Sequence, residues 1–77
     1  ENPEQDQRRL EKLNQLDSAL KQLSDDHRLI VLLHDTEGYK LEEIHALMGI
    51  PIGTVKSRLH RARARLREIL VQSGTFS

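Results

Sequence analysis

The stretch Gly49-Ile50-Pro51-Ile52-Gly53-Thr54-Val55-Lys56-Ser57-Arg58-Leu59-His60-Arg61 decides how this chain is read. It is a tight turn running directly into a basic, amphipathic helix. The residues before it, Leu41 to Met48, have the apolar spacing of a short helix, with Leu41, Ile44, Leu47 and Met48 inward and Glu42 and Glu43 in its first turn. Short helix, turn and basic helix together make a helix-turn-helix, an arrangement that lays its second helix in the major groove of DNA.

Working outward toward the C-terminus, Val55, Leu59, Ala62, Leu66, Ile69 and Leu70 form one stripe at helical spacing. The opposite side carries Gly53, Ser57 and Ala64, with His60 and Arg61 close by. That side is small and polar at its N-terminal end, which suits close approach to base edges. Arg58 and Arg65 fall on one flank and Lys56, Arg63 and Arg67 on the other, placed to meet phosphates on both sides of a groove. The single acid Glu68 cannot pair all six cations, so intrahelical ion pairing does not account for the composition.

The charge distribution agrees. The 77 residues sum to a formal charge of zero, but residues 1–50 carry 6 basic and 11 acidic side chains, a balance of −5, whereas residues 51–77 carry 6 basic and 1 acidic, a balance of +5. A split of this kind points to a polyanionic partner for the C-terminal part. An anionic membrane fits less well than nucleic acid, because the chain has no Trp and a single Phe to seat in an interface. The longest apolar run, Leu29 to Leu33, is far too short to span a bilayer.

Toward the N-terminus two more helices are legible. Asn2 caps the first, Pro3 opens it and Gln5 completes a capping box. Leu10, Leu13, Leu16, Leu20 and Leu23 then share one face, read as core rather than as a coiled-coil seam because the repeat is too short for a zipper. Ser24 caps the second helix, Asp25 and Asp26 favour its positive end, and Leu29-Ile30-Val31-Leu32-Leu33 is expected at the centre of the core. Gly38 ends it. The fold expected is all-α: a small four-helix domain over residues 1–77, with a helix-turn-helix over 41–70 and a flexible tail over 72–77.

Catalytic and metal chemistry find no support. There is no cysteine, His27 and His34 are seven apart and cannot chelate alone, and no His-x-x-x-His pair exists. Phosphate-cradling glycine loops and paired nucleophile and base are also missing, so no enzyme, metal or cofactor is expected. The absence of cysteine fits a reducing cytoplasm. The chain begins with Glu1 rather than Met and reads as a piece of a longer protein.

Leu23 to Leu70 resembles region 4 of bacterial RNA polymerase sigma factors, most closely the extracytoplasmic-function (ECF) group. The resemblance rests on the string Gly53 to Arg63, on Glu37-Gly38, on Glu42-Glu43-Ile44 and on Met48-Gly49-Ile50-Pro51 at matching distances before it. It implies a bacterial, cytoplasmic promoter-recognition domain that binds the −35 element of double-stranded DNA and docks on the RNA polymerase β flap, with an anti-sigma factor as a further partner. It implies base reading by Lys56, Ser57, His60 and Arg61. Pro51, Gly53 and Thr54 would hold the DNA backbone at the helix N-terminus, together with Arg58 and Arg63. The helical wheel agrees on Ser57, His60 and Arg61, but sets Lys56 on a flank.

Three positions depart from the family pattern. Lys40 stands where a Ser or Thr cap is usual, so the third helix is expected to start less firmly. Ser24 replaces a common Pro. His45 occupies a position usually held by Ala, so its ring either wedges between the helices of the motif, making their packing sensitive to acid, or leans out to solvent. Two other readings stay open: the output domain of a response-regulator-type transcription factor, and a protein-interaction module whose basic helix meets an acidic partner.

Overall fold

The computed structural model describes residues 3–74, and the side chains of residues 7–74. Four helices follow in order: α1 Pro3–Lys21, α2 Asp25–Val31, α3 Leu41–Met48 and α4 Ile52–Gln72. Helix α2 runs without a break into a five-residue π-helical turn, Leu32–Thr36. No strand occurs among the described residues, and the all-α expectation holds.

The boundaries follow from local chemistry. Ser24 starts α2 by accepting from the His27 N–H at 3.3 Å, with Asp25 and Asp26 in the first turn. The π turn is closed by the Glu37 N–H donating to the Leu32 carbonyl at 2.9 Å. The Tyr39 N–H then donates to the Leu33 carbonyl, also at 2.9 Å. Between these two bonds Gly38 takes φ +76, a left-handed conformation that costs a residue with a Cβ about 1 kcal/mol or more. Helix α3 has the weak start anticipated from Lys40. A lysine side chain has no acceptor, so only the reciprocal bond forms, from the Lys40 N–H to the Glu43 carboxylate at 2.9 Å. The expected cap and capping box at Asn2 and Gln5 lie outside the described side chains.

Helix α4 is the spine, packed against α1, α2 and α3 and most extensively against α2. Its stripe is buried as the spacing predicts at Val55, Leu59, Ala62, Ile69 and Leu70, with Leu66 half-buried. Ala19, Leu23, Ile30, Val31 and Ile44 complete the core, and Ile30, Ile44 and Val55 are its largest fully buried side chains. α3 contributes one buried residue, Ile44. That single knob fixes the short helix of the motif against the long one.

Four expectations fail, the first at Leu47, which was expected inward on α3 and is 62% exposed. The leucine stripe is core only at its C-terminal end: Leu20 is half-buried and Leu23, just past the end of α1, is buried, whereas Leu10 and Leu13 are 57% and 53% exposed and Leu16 is at the margin. The leucines do share one side of α1, but periodicity states only that they face one way, not that anything lies opposite. In the apolar run, Ile30 and Val31 are buried, but Leu29 points outward and is 45% exposed. A helix turns through about 100° per residue, so five consecutive apolar residues cannot all face one neighbour. At the other end, α4 stays helical to Gln72, where a tail was expected, and Ser73 caps it by donating its hydroxyl to the Leu70 carbonyl at 2.8 Å. The rest of the expected tail, residues 75–77, lies outside the described residues.

Candidate nucleic-acid interface

Gly49 ends α3 at φ +68, its N–H donating to the His45 carbonyl at 3.0 Å, and the chain reverses through Ile50 into α4. His45 does not wedge into the core. Its ring is exposed, and Nδ1 donates to the Ile50 carbonyl, tying the end of α3 to the turn. This arrangement removes the packing basis for the acid sensitivity considered above, because the ring does not sit between the two helices.

Pro51 occupies the N-cap of α4 and accepts from the Val55 N–H at 3.0 Å. No side chain caps the helix start, so the first amides of α4 face outward beside exposed Ile52 and Gly53 and half-buried Thr54. Beyond them, Lys56, Ser57, His60, Arg61 and Ala64 are all exposed on the outer face and Arg58 is half-buried at its edge. All nine residues named for DNA contact thus lie on α4 or its cap. They divide between two sides. His60 and Arg63 join Lys56, Arg67, Ala64, Leu41 and Leu59 around a depression of about 310 Å³ on one side. Ser57 and Arg61 belong to the other, and the Ser57 hydroxyl donates to the Thr54 carbonyl one turn back at 3.2 Å.

The cations of α4 are not equivalent. Arg65 pairs with Glu68 at 2.8 Å. Arg63 reaches across to the π turn, where its Nε donates to Asp35 Oδ2 at 3.0 Å and its Nη2 to Asp35 Oδ1. The His34 Nδ1 lies 3.1 Å from the same Nη2 and 2.9 Å from Asp35 Oδ1. Lys56, Arg58, Arg61 and Arg67 have no acidic partner among the described residues. Four cations on one helix with nothing to neutralise them form a surface suited to a polyanion.

The Arg63 hydrogen bonds hold the Asp35 carboxyl down at about 2, below its ordinary 3.8, with a further contribution from His34, and the same pairing raises the Arg63 guanidinium. A carboxylate with a lowered pKa stabilises the fold above its ordinary value, and that contribution fades as pH falls through its folded one. Both partners are more than a third exposed, so we expect Asp35→Asn to cost no more than about 1 kcal/mol at neutral pH. In urea titrations the difference from wild type should stay constant at neutral pH, shrink between 3.8 and about 2, and vanish below that. A difference that persists at the acid end would contradict the assignment.

Asp35 is the feature of this surface that sequence reading did not single out. It lies 28 positions from Arg63, on another helix, and no short-range pattern links the two. Arg67, one of the flanking cations expected to meet phosphate, lines the depression with Lys56 and His60. Among the described residues no three metal-ligating side chains converge, and no helix is long and apolar enough to cross a membrane.

The model of the family "Sigma-70, region 4" matches residues 13–66 of this chain. The chain belongs to the sigma-70 region 4 family. Its relatives include an ECF RNA polymerase sigma factor SigE of Mycolicibacterium smegmatis, 43% identical over 60 residues that make up 78% of this chain and 23% of that protein. The RNA polymerase sigma factor CarQ of Myxococcus xanthus is 50% identical over 52 residues, 68% of this chain and 30% of the relative. An RNA polymerase sigma-E factor of Streptomyces coelicolor is 51% identical over 53 residues, 69% and 30% of the two chains. The region 4 chain therefore spans about a quarter to a third of the relatives it matches. The match takes in α2, α3, the turn and α4 as far as Leu66, and of the exposed leucines of α1 it leaves out only Leu10.

Proposed function

We propose that this region 4 domain recognises the −35 element of bacterial promoters, as part of an ECF-type sigma factor that directs transcription initiation from the cytoplasm. The observation that carries the reading is the exposure of Lys56, Ser57, His60 and Arg61 along the outer face of α4, where Lys56, Arg58, Arg61 and Arg67 lack acidic partners among the described residues. Base reading falls to those four residues. Register on the duplex falls to Arg58 and Arg63 and to the uncapped helix start at Pro51, Gly53 and Thr54. This is a binding module rather than an enzyme. The exposed Leu10, Leu13 and Leu29 offer a protein partner apolar surface to cover, for which the RNA polymerase β flap and an anti-sigma factor are the proposed occupants.

The test is binding to duplexes with and without a −35-like element over a range of salt. A reading head of this kind binds the cognate duplex more tightly, and its log affinity falls linearly with log salt by about 0.9 per phosphate neutralised. Equal affinity for both duplexes would sink promoter recognition. No binding to either at low salt would favour an acidic protein partner for α4.

A further inference from the structure

We propose that Asp35 is a positioning residue of the DNA interface: it orients Arg63 so that the free edge of the guanidinium meets a backbone phosphate. The inference deepens the proposed function and rests on it. Asp35 grips Arg63 side-on through Nε and Nη2, with Asp35 Oδ2 and Oδ1 as the two acceptors. An arginine has five N–H donors, and this grip occupies the Nε–Nη2 edge. Both hydrogens of Nη1 are left pointing away from Asp35. The Arg63 side chain is 45% exposed, and it shares the wall of the depression of about 310 Å³ with Lys56, His60 and Arg67. No carboxylate lines that depression.

The grip also solves an entropic problem. A free arginine loses much of its side-chain freedom when it binds a phosphate, whereas one already clasped by a carboxylate has lost it on folding. Asp35 is itself held in place, because it sits in the π turn between the Leu32 carbonyl bond and the Gly38 reversal. The acid of this pair thus comes from the π turn rather than from the reading helix, and it acts on the DNA only through Arg63.

Electrostatics alone predicts the opposite outcome, which makes the proposal easy to test. Asp35→Asn removes a negative charge near the duplex, so without a positioning role it tightens binding. With that role, Asp35→Asn weakens binding to cognate and scrambled duplexes alike by about three- to tenfold, the worth of one charge-assisted contact at an exposed site. Asp35→Glu restores most of the loss. In an Arg63→Ala background, Asp35→Asn costs nothing further, and Arg63→Ala itself lowers the salt slope by about 0.9. Thermal melts of each variant fix a temperature at which all are folded for the binding measurements. Unchanged or tighter binding by Asp35→Asn overturns the proposal while leaving promoter recognition standing. Failure of the wild-type domain to bind any duplex at low salt overturns both.

Discussion

Ile44→Ala is expected to remove about a third or more of the stability of this domain. Ile44 is fully buried and is the one core residue that α3 supplies, so its truncation leaves a cavity at the joint between α3 and α4. Buried isoleucine-to-alanine changes cost about 2–5 kcal/mol, depending on how far the site can collapse. A domain of this size holds roughly 4–12 kcal/mol in total, at the usual 0.05–0.15 kcal/mol per residue. The urea midpoint followed by far-ultraviolet circular dichroism should therefore fall by about a third or more, with the slope of the transition unchanged. DNA affinity should fall with it, since α4 presents its reading face only while α3 is docked. A loss below about 1 kcal/mol would mean that the joint is held by something other than this knob.

Arg61→Ala is expected to have the largest effect on recognition with the least on folding. The side chain is exposed, lies on the side of the outer face that carries Ser57, and has no acidic partner among the described residues. If it reads a guanine edge through two hydrogen bonds, its removal costs about 1–3 kcal/mol of discrimination, or roughly five- to 150-fold in the ratio of cognate to scrambled affinity. Affinity for the scrambled duplex should drop far less. Arg67→Ala gives the contrast: a cation in the depression shared with Arg63, whose loss should weaken both duplexes equally. Were Arg61→Ala to reduce both affinities in the same proportion, Arg61 would belong with the backbone contacts.

What the sequence made legible was what local physics determines. The stripe of α4, the Ser24 cap, the turns at Gly38 and Gly49 and the exposure of Ser57, His60 and Arg61 follow from spacing and from the chemistry of single residues. What was not legible depends on a partner distant in sequence. Leu10 and Leu13 have the right period for a buried face, yet only the path of α4 determines which turns of α1 are covered. Arg63 looks like any other cation of the basic helix until Asp35 comes up beside it from 28 residues away. The π turn has no signature in its five residues, and it is this turn that carries Asp35 to the edge of α4. His45 shows the same limit: its size was evident, but which way it would lean depended on the free Ile50 carbonyl in the turn.

The bond from Ser57 to the Thr54 carbonyl sets the polarity of what that serine can say to a base pair. Its one hydrogen is directed inward along α4, so the oxygen turns only lone pairs toward the groove. A lone pair complements the amino groups of adenine and cytosine and is repelled by the carbonyl oxygens of guanine and thymine. On the promoter reading, Ser57 is therefore biased toward amino-bearing edges before any DNA arrives, and a carbonyl edge would first have to draw the hydroxyl out of its bond with the helix.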